Sequence, residues 1–345
     1  MIIKLSLPGQ PRPTDLSQFT GNDSGEFAGC EFHANDGIVE ADAWFLFEGV
    51  DPHDNFCLVP PGQVHFLTAE TAHRDDRWTE QSVLKFLQQF SQVHSCHPVD
   101  LPNVHFSPPF LPWMVNANHN SIFNSHERDI SFFAGLETVE KDRPLSIVSS
   151  KKSFTPAHHL RLRFAEKVSQ HFKGDVDWFG NGINPLAEKW DGLARYERTI
   201  VLENRSDFGI YSEKILDPFL ALSQPIYWGA PDISSFLPVS SKLQLNIRDL
   251  NGSMKFIEGI LSRQMLSSDM ENLLVGKSRV ISELHFLARI AKIAQTIKAG
   301  MSDGNSSRIR VTLQPESTFD SPLDQEAQSV QKSVKNRLKK LFGHN

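Results

Sequence analysis

Short apolar runs and helical stripes take turns along the chain. Asp42–Gly49, Gln63–Glu70 and Gln92–Cys96 read as buried strands, and Trp78, Val83, Leu84, Leu87 and Phe90 form a helical stripe between the last two. A polar stretch from Asn116 to Arg128 and a charged turn from Glu137 to Pro144 interrupt this order. It resumes with strand Leu145–Ser149, helix His158–Phe172, strand Asp175–Phe179 and helix Pro185–Arg195. Strand Thr199–Leu202, a helix carrying Leu216, Phe219, Leu220 and Leu222, and strand Pro225–Gly229 form the next unit. Leu243–Ile247 reads as a further strand, with helices over Ser253–Leu266 and Ser278–Lys298. Strands alternating with helices imply parallel, doubly wound sheets. The break near Lys141 divides the chain into a domain over 1–141, a domain over 142–300 and a terminal segment over 301–345. Pro8–Asn35, rich in Gly, Pro and Asp, carries no assignable pattern.

With 345 residues, the chain can bury two ordinary cores. A formal net charge of -6 argues against a dedicated nucleic-acid binder. Met1–Pro8 is too short an apolar run for a signal peptide, and no stretch approaches a membrane span. Cys30, Cys57 and Cys96 are an odd, sparse set that suits a reducing compartment. Together these predict a cytoplasmic protein. In the terminal segment, Val330, Val334, Leu338, Leu341 and Phe342 share one helical face while Lys and Arg occupy the others. Two readings stand: an interfacial helix drawn to anionic lipid, making the protein peripheral on the inner face of the membrane, or a helix docked on the protein's own surface.

The unit from Thr199 to Gly229 carries the most chemistry. Its strand ends at Glu203 and Asn204, a polar loop turns at Gly209, and the helix opens on Tyr211, Ser212, Glu213 and Lys214. Ligands of such units sit beyond the strands' carboxyl ends, facing a helix N-terminus whose first N–H groups lack internal partners. The macrodipole and Lys214 favour an anion there, and a diphosphate suits the space.

The run Leu202-Glu-Asn204, Tyr211-Ser-Glu-Lys214 and Pro225-Ile-Tyr-Trp-Gly-Ala-Pro231 resembles the donor-binding signature of the bacterial-type α-1,3/1,4-fucosyltransferases of glycosyltransferase family 10. The resemblance covers about Leu145 to Leu237. It implies a GT-B-like α/β fold, two Rossmann-like domains facing across a cleft, and an inverting transfer of L-fucose from GDP-fucose to a hydroxyl of a glycan acceptor, with no cofactor required. A related transferase using another nucleotide sugar and a non-catalytic nucleotide-sugar or glycan-binding protein of the same fold are the alternatives.

The resemblance also assigns roles. Arg161 matches an Arg that contacts the donor diphosphate, a task suited to its planar fork. Lys214 is assigned to phosphate and Glu213 to sugar or ribose hydroxyls. Tyr211 is a donor-site candidate shifted by one from the family's tyrosine position, which Ile210 occupies here. Asn204 has two readings, holding the loop or the nucleoside. Glu70, in Leu67-Thr-Ala-Glu70, resembles the segment of the catalytic Glu and is the candidate base. Asp175-Val-Asp177 spells a metal motif of other sugar transferases but lies within a strand, and His94-Ser-Cys-His97 lacks a second pair for zinc, so no metal site is assigned. Trp113 is a candidate for stacking on an acceptor sugar or for burial.

Overall fold

The computed structural model describes residues 1–69, 75–116, 128–153, 155–300 and 307–320. Among these the strands are β1 (Ile2–Ser6), β2 (Glu26–Phe27), β3 (Cys30–Ala34), β4 (Ala43–Phe47), β5 (Phe56–Val59), β6 (Val64–Leu67), β7 (Gln92–Ser95), β8 (Val104–Phe106), β9 (Arg143–Val148), β10 (Val176–Phe179), β11 (Tyr196–Leu202), β12 (Gln224–Trp228), β13 (Leu243–Gln244) and β14 (Ile309–Thr312). The α-helices are α1 (Ser17–Thr20), α2 (Gln81–Leu87), α3 (Ile130–Gly135), α4 (Pro156–His171), α5 (Glu213–Leu220), α6 (Leu250–Leu261), α7 (Ser267–Arg279) and α8 (Phe286–Gly300).

The two-domain, doubly wound α/β architecture expected from the sequence is the one observed. The first sheet runs β2-β3-β1-β4-β6-β7-β8, parallel except for β2. An inner strand, third in that order, is β1, in a segment whose polar and charged residues hide the strand from periodicity. Lys4 lies inside it, 2% exposed, and is tolerated there because Nζ donates to Asp54 Oδ1 at 2.6 Å and Ile38 O at 2.8 Å. Helix α2 packs Phe86, a residue outside the expected stripe, on Phe66, ring centroids 5.5 Å apart.

The second sheet is wholly parallel, in the order β10-β9-β11-β12-β13. Every residue of β12 is buried, as a strand covered on both faces requires. Ile226 and Trp228 enter one apolar cluster while Tyr227 enters the other. Counted along the chain, the order is second, first, third, fourth, fifth, so the winding reverses between β9 and β11. The crevice beyond their carboxyl ends is where such sheets take ligands.

Three expectations are corrected. Pro185–Arg195 forms only a short 3₁₀ turn, Lys189–Gly192, because Trp190 N donates to Val115 O instead of an intrahelical acceptor. Ser278–Lys298 is not one helix: α7 ends at Arg279, a π turn spans Val280–Leu284, and α8 follows. Within 301–345, Ile309–Thr312 is a strand pairing antiparallel with β5 in a separate two-stranded sheet, and Leu313 beside it is 1% exposed in the first domain's core. The basic amphipathic helix expected from Val330 to Phe342 falls outside the described residues. Among the described residues no helix is long and apolar enough to cross a membrane.

The domains share a core in which Phe19, Trp113 and Phe133 of the first meet Phe219 and Phe286 of the second. Trp113 is 1% exposed and packs on Phe19 at 4.7 Å, so of its two readings burial is the observed one.

Candidate functional site

A cavity of about 340 Å³ opens at the reversal of the second sheet. Its floor is Val148, Ser149 and Ser150, where β9 ends, and Gly180, just past β10. Gly180 has φ +142°, and a Cβ there would lie 3.0 Å from Ser150 N and nearer still to the Ser149 carbonyl. Only glycine lets the two strand ends approach this closely. Lys151 N donates to Asn181 O at 3.1 Å, and Trp178 Nε1 to Ser149 O at 3.1 Å, fixing the floor.

Arg161 enters from α4. Thr155 caps that helix, accepting from His158 N at 3.3 Å, and Pro156 stands in the first turn, where its missing N–H costs nothing. The Arg161 side chain is 2% exposed. Its Nη1 donates to Asn204 Oδ1 at 2.5 Å, and Nη2 reaches the carbonyls of Ser150 and Lys152 at 3.4 Å; Nε has no partner. All these acceptors are neutral. Burial lowers its pKa while Glu203 and Glu213 raise it. A buried guanidinium without a paired carboxylate is costly, and an anion in the cavity would compensate it. Asn204, just past the end of β11, holds the Arg161 side chain in place, a contact that neither of its two readings, the loop or the nucleoside, described.

Lys214 and Glu213 line the same cavity from the first turn of α5. Lys214 Nζ donates to Ser212 Oγ at 3.0 Å and to Glu213 Oε1 at 3.1 Å, and lies 3.9 Å from Glu203 Oε2. Burial pulls its pKa down, but Glu213 and Glu203 outweigh that, so the ammonium is held charged. For Glu213, burial raises the pKa and Lys214 and Lys189 lower it further, to about 2.

The α5 N-terminus is not open as the sequence suggested. Glu203, 3% exposed, reaches it from within the chain: Oε1 accepts from Ser212 N at 2.9 Å and Oε2 from Ser212 Oγ at 2.6 Å. Burial raises the Glu203 pKa. An internal carboxylate thus faces the helix end, and the positive groups turned to the cavity are side chains, Arg161 and Lys214 with Lys189. Tyr211 is not brought to them. It sits before the Ser212 cap, 3% exposed, packs on Phe236 at 5.0 Å, and lines a different cavity.

Lys189 and Asp217 escaped the sequence reading. Asp217 is fully buried and accepts from Lys189 Nζ at 2.5 Å and Met114 N at 2.8 Å, tying the inter-domain segment to α5. Burial raises its pKa to about 6 against the pull of Lys189. The signal was faint: an aspartate on the apolar face of a helix. Asp177 is engaged away from the cavity, accepting from Arg143 Nη2 at 2.8 Å and Tyr196 Oη at 2.8 Å. Among the described residues no three His, Cys, Asp or Glu side chains are grouped to hold a metal ion. Glu70 lies outside the described residues; the chain before it, Thr68–Ala69, is buried at the carboxyl end of β6.

No protein-family model matches the chain. The alpha-(1,3)-fucosyltransferase FucT of Helicobacter pylori is 27% identical over 107 residues, 29% of this chain and 22% of its own length. The match therefore spans less than a quarter of that relative. Among solved structures, an alpha1,3-fucosyltransferase aligns over 89% of this chain and 91% of its own at 15% identity and a TM-score of 0.46. An alpha1,3-fucosyltransferase with GDP-fucose aligns over 82% and 90% at 14% identity and 0.41. TarM of S. aureus, in a complex that includes UDP, aligns over 74% and 55% at 10% identity and 0.43. Scores this low transfer neither a site nor an activity.

Proposed function

We propose that this chain is an inverting glycosyltransferase whose donor, a nucleoside-diphosphate sugar, binds in the cavity at the β9–β11 reversal, and that the donor is GDP-fucose. The observation that carries the reading is Arg161: a guanidinium 2% exposed, pinned by neutral acceptors and aimed at a cavity that Lys214 also lines. A diphosphate supplies the directly bonded anion that Arg161 lacks. Glu213, ionised and adjacent, accepts from sugar or ribose hydroxyls. The local identity to a fucosyltransferase supports fucose as the sugar, as does the spelling of Leu202–Asn204 and Tyr211–Lys214.

In this reading the acceptor hydroxyl oxygen attacks C1 of the donor sugar, its proton passes to Glu70, and the bond from C1 to the diphosphate oxygen breaks. The departing GDP carries the electron pair into the field of Arg161 and Lys214, pre-aimed charges that need no reorganisation. Turnover would persist in the presence of a chelator. Incubating the full chain with GDP-fucose and a glycan extract, and measuring GDP release, tests the reading. Glu70→Gln is expected to reduce turnover by about 10²-fold or more while GDP still binds. Undiminished turnover in that variant would remove Glu70 from the mechanism.

A further inference from the structure

A second cavity, of about 360 Å³, lies between the domains and is not used by the donor. Phe110, in its wall, donates its N–H to Thr68 O at 2.9 Å, so the wall adjoins the end of β6 that leads to Glu70. Its other side includes Tyr211, the residue before the cap of α5. The cavity therefore lies between the end of β6 and the helix that presents Lys214 to the donor.

Its rim is aromatic and its floor cationic. Phe106, at the end of β8, is 64% exposed, and Phe110 and Phe236 complete the aromatic lining. A Cβ at Gly209, whose φ is +68°, would lie 2.5 Å from Phe106 Cζ, so the glycine lets the loop of one domain close on the ring of the other. A large apolar ring left this exposed at a cleft mouth is a surface suited to the C–H face of a sugar.

Arg289, on α8, lies 3.8 Å over the Phe110 ring and donates to Pro109 O at 2.5 Å and to Pro108 O and Ser107 Oγ at 2.7 Å. None of these neutralises it. Lys292, one turn further on the same helix face, and Arg279 also line the cavity. The single carboxylate in the lining is Glu283, 3.4 Å from Arg279. Three cations against one carboxylate leave a surplus of two positive charges.

We propose that this cavity is the acceptor subsite and that it takes an acidic sugar, a hexose bearing a carboxylate or a phosphate, with the ring on Phe106 and the anion on Arg289 and Lys292. The inference rests on the glycosyl-transfer reading of the neighbouring pocket.

Isothermal titration of the full chain without donor tests it, using three oligosaccharides of equal length: neutral, uronic-acid-terminated and phosphorylated. The acidic pair is expected to bind about tenfold or more tightly than the neutral one, and to lose that margin as salt rises. The ranking within the pair identifies the anion. Lys292→Gln is expected to bring acidic binding toward the neutral level, and Phe106→Ala to weaken all three; both sites are exposed, so the fold is spared. Equal affinity for neutral and acidic ligands, or acidic binding indifferent to Lys292→Gln, would overturn the proposal. A parallel GDP titration separates the two claims: GDP binding with no charge preference sinks this inference alone, and absence of nucleotide binding sinks the transfer reading.

Discussion

Arg161→Met separates a ligand-binding guanidinium from a structural one. In the folded chain the side chain is 2% exposed and its bonds go to the amide oxygen of Asn204 and two carbonyls, with Nε unpartnered. Methionine fills comparable space without charge. Removing one partner from a buried, hydrogen-bonded charge pair costs about 2–5 kcal/mol of binding. That corresponds to roughly 30- to 5,000-fold in the GDP dissociation constant. The unliganded fold should change little. It sheds a buried charge that has no directly bonded carboxylate, a change worth between nothing and about 2 kcal/mol of stabilisation. It also leaves Asn204 Oδ1, on a half-buried residue, to turn to water at a cost of about 1 kcal/mol. Stability is thus expected to stay within about 1 kcal/mol of the parent. Urea unfolding of the apo chain and titration with GDP measure the two quantities on one sample. GDP affinity within about threefold of the parent, together with a loss of several kcal/mol in stability, would refute the reasoning and make Arg161 a framework residue.

Gly180→Ala combines a positive φ with a Cβ driven into the Ser149 and Ser150 backbone, so a loss of about 1–3 kcal/mol in urea unfolding is expected, with weakened nucleotide binding as the floor shifts. Stability should also fall with acid. Burial holds His65, His94 and His285 down to about 3, 4 and 3, from an ordinary 6.5. As pH drops below about 6.5 the unfolded chain takes up protons that the fold refuses, costing up to about 1.4 kcal/mol per pH unit per histidine until the folded values are reached. Asp217, raised to about 6 from 3.8, acts in the opposite sense as pH falls between those values and offsets one of the three. The midpoint of urea unfolding should therefore decline between pH 6.5 and 4, and a flat profile would contradict the burial of the neutral imidazoles.

Much of the second domain was legible in the chain. Its strands are short, largely apolar runs bounded by polar turns, because both faces of a parallel sheet are covered, and β9, β10, β11 and β12 appear where the pattern put them. β1 was not legible, since a buried lysine satisfied by Asp54, a distant residue, looks polar in sequence. The interrupted helix at Val280–Leu284 was hidden because the buried Val280, Leu284 and Leu287 keep a three-to-four spacing across the break. At the site, Arg161, Glu213 and Lys214 were legible through their spelling and converge on one cavity. Glu203 at the helix cap, and the Asp217–Lys189 pair, depend on contacts between separate elements that no local pattern encodes. Tyr211 stood in the same local run as Lys214, yet the turn into α5 sends it to the inter-domain core. Local sequence gives proximity along the chain, and the N-cap decides direction.

The central claim is that the β9–β11 cavity binds a nucleoside-diphosphate sugar through Arg161 and Lys214. Thermal unfolding of the full chain across a panel of GDP- and UDP-sugars tests it most directly, because a ligand at about 100 times its dissociation constant adds about 2.7 kcal/mol to stability. The account predicts a rise in melting temperature with GDP-fucose that Arg161→Met abolishes. No shift with any nucleotide sugar, or a shift that Arg161→Met leaves intact, would contradict it.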